Sequence, residues 1–245
     1  MKKTGIAAVL ALLLVGCSGR NGADEKMSAA LAQAKQGKWD GIAERATEIS
    51  DAVPNAVAPK LLLALAYERA GEFDKALDLA RKCAETAPDD FATLYTFGRL
   101  SAVDPMRRSE AFMILENAHK LRPDDRNTLV LLCNLGAEVN SPRAGAYLDK
   151  LRANPEFKNS GRLYFLYGLR QAKQGDKGQA ALFLRYAVKR DDKDTILLLN
   201  AARALDRYRL SQRDALEMYR RYLGRADRDP AAAKEVSARI AELSR

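Results

Sequence analysis

Two stretches of this 245-residue chain align without a gap: AQAKQGKWDGIAERATEISDAVPN (Ala32 to Asn55) and AYERAGEFDKALDLARKCAETAPDD (Ala66 to Asp90). Gly37 pairs with Gly71, Trp39 with Phe73, Ala46 with Ala80 and Pro54 with Pro88, and each pair is 34 residues apart. A fixed period of this length constrains the fold more than any local propensity, because one unit cannot bury its own apolar face and must stack on its neighbours. Each copy carries Gly-x-aromatic between two helical patterns and ends on Pro. Small residues let two antiparallel helices approach closely, the Gly and the aromatic shape the turn, and Pro ends the second helix.

Further copies follow. LYGLRQAKQGDKGQAALFLRYAVKRDD places Gly168, Gly175, Ala180 and Ala187 at the small positions. FGRLSAVDPMRRSEAFMILENAHKLRPDD keeps Gly98, Ala111, Ala118 and Pro123 with one residue inserted, and LLCNLGAEVNSPRAGAYLDKLRANP is shorter and more degenerate. A sixth unit, from Thr195 to about Asp229, keeps Leu198, Ala202, Ala215, Tyr219 and Tyr222. Asp229-Pro230 then opens a last helix, with Asp as N-cap and Pro at the first helical position. Its Val236, Ile240 and Leu243 share one face, as expected of a helix that caps a repeat array.

This pattern resembles the tetratricopeptide repeat (TPR) from about Met27 to Arg245. The resemblance implies an all-α, TPR-type helical-hairpin solenoid: about six repeats over residues 27–229 and a capping helix over 230–245.

The start of the chain follows a different logic. Met1-Lys2-Lys3 is basic and Ile6 to Val15 is uninterruptedly apolar, yet the uncharged stretch from Thr4 to Ser18 is shorter than the roughly 20 residues a spanning helix needs. Its size and flanks are those of a secretory signal. Leu14-Val15-Gly16-Cys17 resembles the lipobox of bacterial lipoproteins, which implies cleavage after residue 16 and lipid on Cys17. Each buried methylene contributes about 0.8 kcal/mol, so two or three acyl chains would hold the protein on a membrane essentially permanently. Removal of Lys2 and Lys3 with the leader takes the formal charge from +9 to +7. Residues 17–26, small and polar with two glycines, read as a flexible tether. Ser18 stands where enteric lipoproteins retained at the inner membrane carry Asp. The expected place is therefore the periplasmic face of the outer membrane.

Sites for chemistry are sparse. His119 is the only histidine, so a His-based metal cluster or a Ser-His-Asp triad is not available in one chain. It follows Ala118 on a second helix and is expected to face solvent. Cys83 and Cys133 fall in repeats two and four at small-residue core positions, too far apart for a disulfide, and are expected as buried free thiols. The pairs Asp89-Asp90, Asp124-Asp125 and Asp191-Asp192 recur with the period, as turn and N-cap residues do. No catalytic constellation, metal site or cofactor is expected beyond the covalent lipid.

In TPR proteins the first helix of each repeat lines a concave face that commonly binds an extended peptide or a partner helix. The corresponding positions are Leu61, Leu65, Arg69, Tyr95, Arg99, Val130, Asn134, Phe165, Leu169, Lys173, Leu199 and Arg203. Leu65, Val130 and Leu199 equally suit packing between adjacent helices. Apolar and aromatic residues with basic ones between them suit a chain with apolar side chains and some acidic character. The Lys positions of the chaperone-binding carboxylate clamp hold Leu61, Tyr95, Val130 and Phe165, so that specificity is not expected. Eight arginines against four acids between Arg203 and Arg228 offer a second surface, for an anionic polymer, although such runs are more often solvated faces with local ion pairs. Tyr208, Tyr219 and Tyr222 read as helix packing. The expectation is a membrane-anchored envelope scaffold that binds a protein partner and is not an enzyme, without nucleic acid or small-molecule substrate. TPR lipoproteins of this kind include pilotins that assist type IV pilus secretins. Binding of anionic polymer, or less readily an envelope enzyme, is the alternative.

Overall fold

A computed structural model describes residues 22–244 together with Ile6, Val9, Leu10 and Leu13. The lipobox Leu14-Val15-Gly16-Cys17 and most of the leader lie outside the described residues. From Gly22 onward every regular element is helical: α1 (Gly22–Lys35), α2 (Ile42–Ala52), α3 (Val57–Ala70), α4 (Phe73–Thr86), α5 (Phe91–Ser101), α6 (Arg108–Leu121), α7 (Arg126–Glu138), α8 (Ala144–Ala153), α9 (Gly161–Gln174), α10 (Lys177–Arg190), α11 (Thr195–Arg207), α12 (Gln212–Leu223) and α13 (Pro230–Leu243). Within the units α1 packs on α2, α3 on α4, α5 on α6, α9 on α10 and α11 on α12, and α13 lies against α12.

The chain divides into two compact units, Met1–Leu135 and Gly136–Arg245, with the division inside α7. In the first unit Ala76, Ala80 and Ala84 of α4 pack with Phe97 and Leu100 of α5, and Tyr67, Leu77, Leu94 and Ile114 close around them. The second unit is built around Leu184 and Val188 of α10, Leu198, Leu205 and the alanines of α11, and Met218, Tyr219 and Tyr222 of α12. Val236, Ile240 and Leu243 of α13 seal its end.

The recurring residues explain the hairpins. Gly71 and Gly175 end α3 and α9 at φ 85° and 87°, a left-handed turn that side-chain-bearing residues adopt at a cost. At Gly98 an added Cβ would lie 2.7 Å from Leu115 Cγ, and at Gly168 it would lie 2.9 Å from Leu184 Cδ2, so both positions need bare backbone at the helix crossing. Acids close the starts: Asp90, Asp176, Asp194 and Asp229 accept the N–H of Thr93, Gln179, Leu197 and Ala232 at 2.9 Å, each such cap contributing about 1 kcal/mol.

Four details differ from the sequence reading. Helix α1 begins at Gly22, inside the expected tether, because Asp24 and Glu25 in its first turn complement the helix dipole. The residue inserted in repeat three is absorbed by a 3-10 turn, Pro105–Arg107, capped by Asp104. Asp191 does not cap α11, which it precedes; its carboxylate accepts the N–H of Gly161, the first residue of α9, at 2.7 Å. His119 is buried at 8% exposure, not solvent-facing: α6 buries adjacent pairs in successive turns, Ala111 with Phe112, Leu115 with Glu116, and Ala118 with His119. Cys83 and Cys133 are buried free thiols.

Candidate partner-binding site

The helices α3, α5, α7, α9 and α11 carry every residue of the sequence-derived groove list. Their surroundings differ sharply. In the first unit Leu61 and Leu65 of α3 are fully buried, and Tyr95 of α5 is 2% exposed. Phe91 stacks on Tyr95 with ring centroids 5.8 Å apart, and the Arg122 guanidinium lies 4.7 Å over Phe91. Burial pushes the Tyr95 hydroxyl up to about 12. Arg99 is 8% exposed and donates through both terminal nitrogens to the carboxylate of Glu68, each at 2.6 Å. Val130 and Asn134 are half-buried, and the Asn134 amide donates to the Val130 carbonyl at 3.0 Å. Arg69 alone of this set is exposed.

The same unit contains Ile6, Val9, Leu10 and Leu13, all helical and buried. Their spacing of three, four and seven residues from the first places them on one helical face.

In the second unit Leu169 and Leu199 belong to the core, with Phe165 half-buried against it. Lys173 keeps its ammonium at the surface, donating to the Glu138 carbonyl at 3.3 Å and lying 5.6 Å from the centre of the Tyr208 ring. Arg207 grips both oxygens of the Glu138 carboxylate at 3.1 and 3.0 Å, and the Tyr208 hydroxyl donates to the same group at 3.1 Å. Arg203 pairs with Glu235 of α13 at 2.7 Å.

Thus Arg69, Asn134, Phe165, Lys173 and Arg203 retain accessible surface, while Leu61, Leu65, Tyr95, Arg99, Leu169 and Leu199 are packed. Sequence reasoning missed Glu68, Glu138 and Tyr208, the partners of its basic residues. The signal for Glu68 is present: it precedes Arg99 by 31 residues, one period less a helical turn.

The arginine-rich stretch is partly structural. Arg203 and Arg207 are paired as above, Arg225 donates to the Asp192 carbonyl, and Arg228 to the Arg225 carbonyl. Arg209, Arg213, Arg220 and Arg221 are exposed. Among the described residues no cluster of His, Cys, Asp and Glu could hold a metal ion, and no helix is long and apolar enough to cross a membrane.

The tetratricopeptide repeat family matches residues 57–100, the span of α3, α4 and α5. Solved structures then extend the likeness of fold. PilW, a widely conserved type IV pilus biogenesis factor, superposes with a TM-score of 0.65 at 16% identity, over 86% of this chain and 97% of that one. A tetratricopeptide repeat protein from Parabacteroides merdae gives 0.61 at 12% identity, over 91% and 99%. YrrB, a TPR protein with an unusual peptide-binding site, gives 0.51 at 21% identity, over 74% and 92%. No curated protein matches the sequence.

Proposed function

We propose that this protein is a lipid-anchored scaffold of the bacterial cell envelope that holds a peptide or helix of a partner protein on the first-helix faces of its repeats. The observation that carries the partner half is the TPR-type hairpin fold, in which Phe165, Lys173, Arg69 and Arg203 remain reachable on those helices. The membrane half is carried by Leu14-Val15-Gly16-Cys17, read as a lipobox with Cys17 as the attachment point and the outer membrane's periplasmic face as destination. The likeness of fold to PilW favours help in assembling an envelope machine over catalysis.

The test is a photo-crosslinking residue at Phe165 or Arg69 in living cells, combined with labelling by an alkyne fatty acid. A discrete partner protein is expected, lost with Phe165→Ala, and lipid label is expected to disappear with Cys17→Ser. Capture of nothing beyond background at either position overturns the partner half. Complete membrane partitioning of a normally processed Cys17→Ser variant overturns the anchor half.

The four exposed arginines 209, 213, 220 and 221 favour one second reading, contact with an anionic envelope polymer. Charge reversal at Arg220 and Arg221 would abolish polymer binding and leave partner capture through Phe165 intact.

A further inference from the structure

We infer that the second unit carries a seat for a partner's carboxylate, formed by Arg170 and Lys173 of α9 against the start of α8. The inference deepens the scaffold reading and rests on it for the identity of the partner as a polypeptide.

A cavity of about 280 Å³ opens between the end of α7, the start of α8 and the last turn of α9. Its polar lining consists of two cations, Arg170 and Lys173, the amides of Asn140 and Gln174, and the Ser141 hydroxyl, with no acidic residue. Three other arginines of this unit are matched with acids: Arg207 with Glu138, Arg185 with Asp214 at 2.8 Å, and Arg162 with Asp194 at 3.7 Å. Among the described residues Arg170 has neither an ion pair nor a hydrogen bond, although it is half-buried. Its five donors are therefore unused by the described residues and open to an acceptor brought into the cavity.

The guanidinium lies close against the backbone of α8. A Cβ built on Gly145 would lie 3.0 to 3.3 Å from its three terminal atoms, so the bare backbone of Gly145 is what lets the planar group rest there. Gly145 is the second residue of α8, and the N-cap Arg143 supplies no side-chain cap, which adds positive potential on the same side of the cavity.

The neighbouring corner shows which anion this chemistry accepts. Lys173, which lines the cavity, donates to the Glu138 backbone carbonyl, and the Glu138 carboxylate is bound by Arg207 through two parallel bonds and by Tyr208 through a third. Arg170 offers the same planar fork, matched to two coplanar oxygens, and no carboxylate among the described residues fills it. The cavity has room for one acidic side chain or a chain terminus.

Three peptides and inorganic phosphate test this by NMR on the isotopically labelled full chain, following the Arg170 Nε and Gly145 amide signals. The peptides are Ac-Leu-Ala-Leu-Glu-amide, the free acid Ac-Leu-Ala-Leu-Gln, and the neutral Ac-Leu-Ala-Leu-Gln-amide. Saturable shifts are expected with one or both carboxylates and not with the neutral peptide, the stronger arm telling side chain from terminus. Arg170→Gln is expected to weaken binding by about tenfold or more, the range of a charge-assisted pair. Gly145→Ala keeps the charge, favours the helix and displaces the guanidinium, so a several-fold loss at unchanged folding separates seating from stability. The seat is overturned if the neutral peptide shifts the same signals equally, if phosphate binds more tightly than either carboxylate, or if no probe moves them. Capture of a cross-linked partner equally by wild type and Arg170→Gln would sink the seat and spare the scaffold. Carboxylate binding at Arg170 without any captured partner would do the reverse.

Discussion

Arg99 on α5 and Glu68 on α3 form a two-pronged ion pair, with both contacts at 2.6 Å and both side chains nearly inaccessible. It joins the first helices of adjacent repeats through groups that neither helix could bury alone. Glu68→Ala leaves an uncompensated buried guanidinium and is expected to lower stability by about 3 to 5 kcal/mol. The double variant Glu68→Leu with Arg99→Met is expected to recover most of that loss, because the desolvation cost goes with the charges. Urea-unfolding midpoints of the three proteins check the ranking, and a double variant weaker than Glu68→Ala contradicts it.

Two glycines invite substitutions of unequal cost. A Cβ at Gly98 meets the fully buried Leu115 at its Cγ, 2.7 Å away, so relief there needs side-chain repacking but no backbone shift. At Gly161 it meets the Ala187 backbone carbonyl at 2.5 Å and Asp191 Oδ2 at 2.7 Å. Gly98→Ala is expected to cost about 1 to 3 kcal/mol of overpacking, offset in part by about 1 kcal/mol of helix propensity. Gly161→Ala is expected to cost more, since backbone must move. Thermal unfolding that ranks them the other way refutes the argument.

The capping helix answers to pH. Hydrogen bonding from Arg239 lowers the Asp206 carboxyl from its ordinary value, against the opposing effect of burial, and Tyr219 adds a further donor at 3.1 Å. A depressed folded-state pKa means that its stabilisation is present above the unfolded carboxylate value of about 3.9 and is lost as pH falls through the lower folded value. Amide exchange in α13 should therefore accelerate more steeply between about pH 4 and pH 2 in wild type than in Asp206→Asn. Parallel slopes would assign the acid response to other groups.

Cys83 offers a chemical probe of core integrity. Burial pushes its thiol up to about 11, and it is 1% exposed. The thiolate is the reactive form, so iodoacetamide at neutral pH is expected to leave Cys83 unmodified in the folded chain and to label it in urea. Labelling at equal rates in both conditions, read by mass spectrometry, would show that α4 opens freely.

The 34-residue spacing of Gly37 and Gly71 made the hairpins legible, since a turn that favours positive φ selects glycine whatever surrounds it. The cap acids Asp90, Asp125 and Asp229, before α5, α7 and α13, were legible for the same local reason, whereas Asp176 and Asp194, before α10 and α11, were not read from the sequence. His119 was not, because the width of a helix's buried stripe depends on what lies on both sides of it. The helical start at Gly22 was hidden by composition, as small and acidic residues serve a tether and a first turn alike. At the candidate site, positions were readable and availability was not: Arg99 and Arg203 carry acceptors supplied by other helices, and Arg170 was passed over because it stands outside the repeat's usual lining positions.

Gly37, Gly71 and Gly175 share nearly one backbone angle, 81°, 85° and 87°. Such a joint is a standard coupling, identical whichever hairpin it closes. A copy of the unit from α3 to α4 could be spliced in or removed with both of its ends still meeting familiar neighbours, so the length of the array is a quantity that can change in whole hairpins without redesigning any junction.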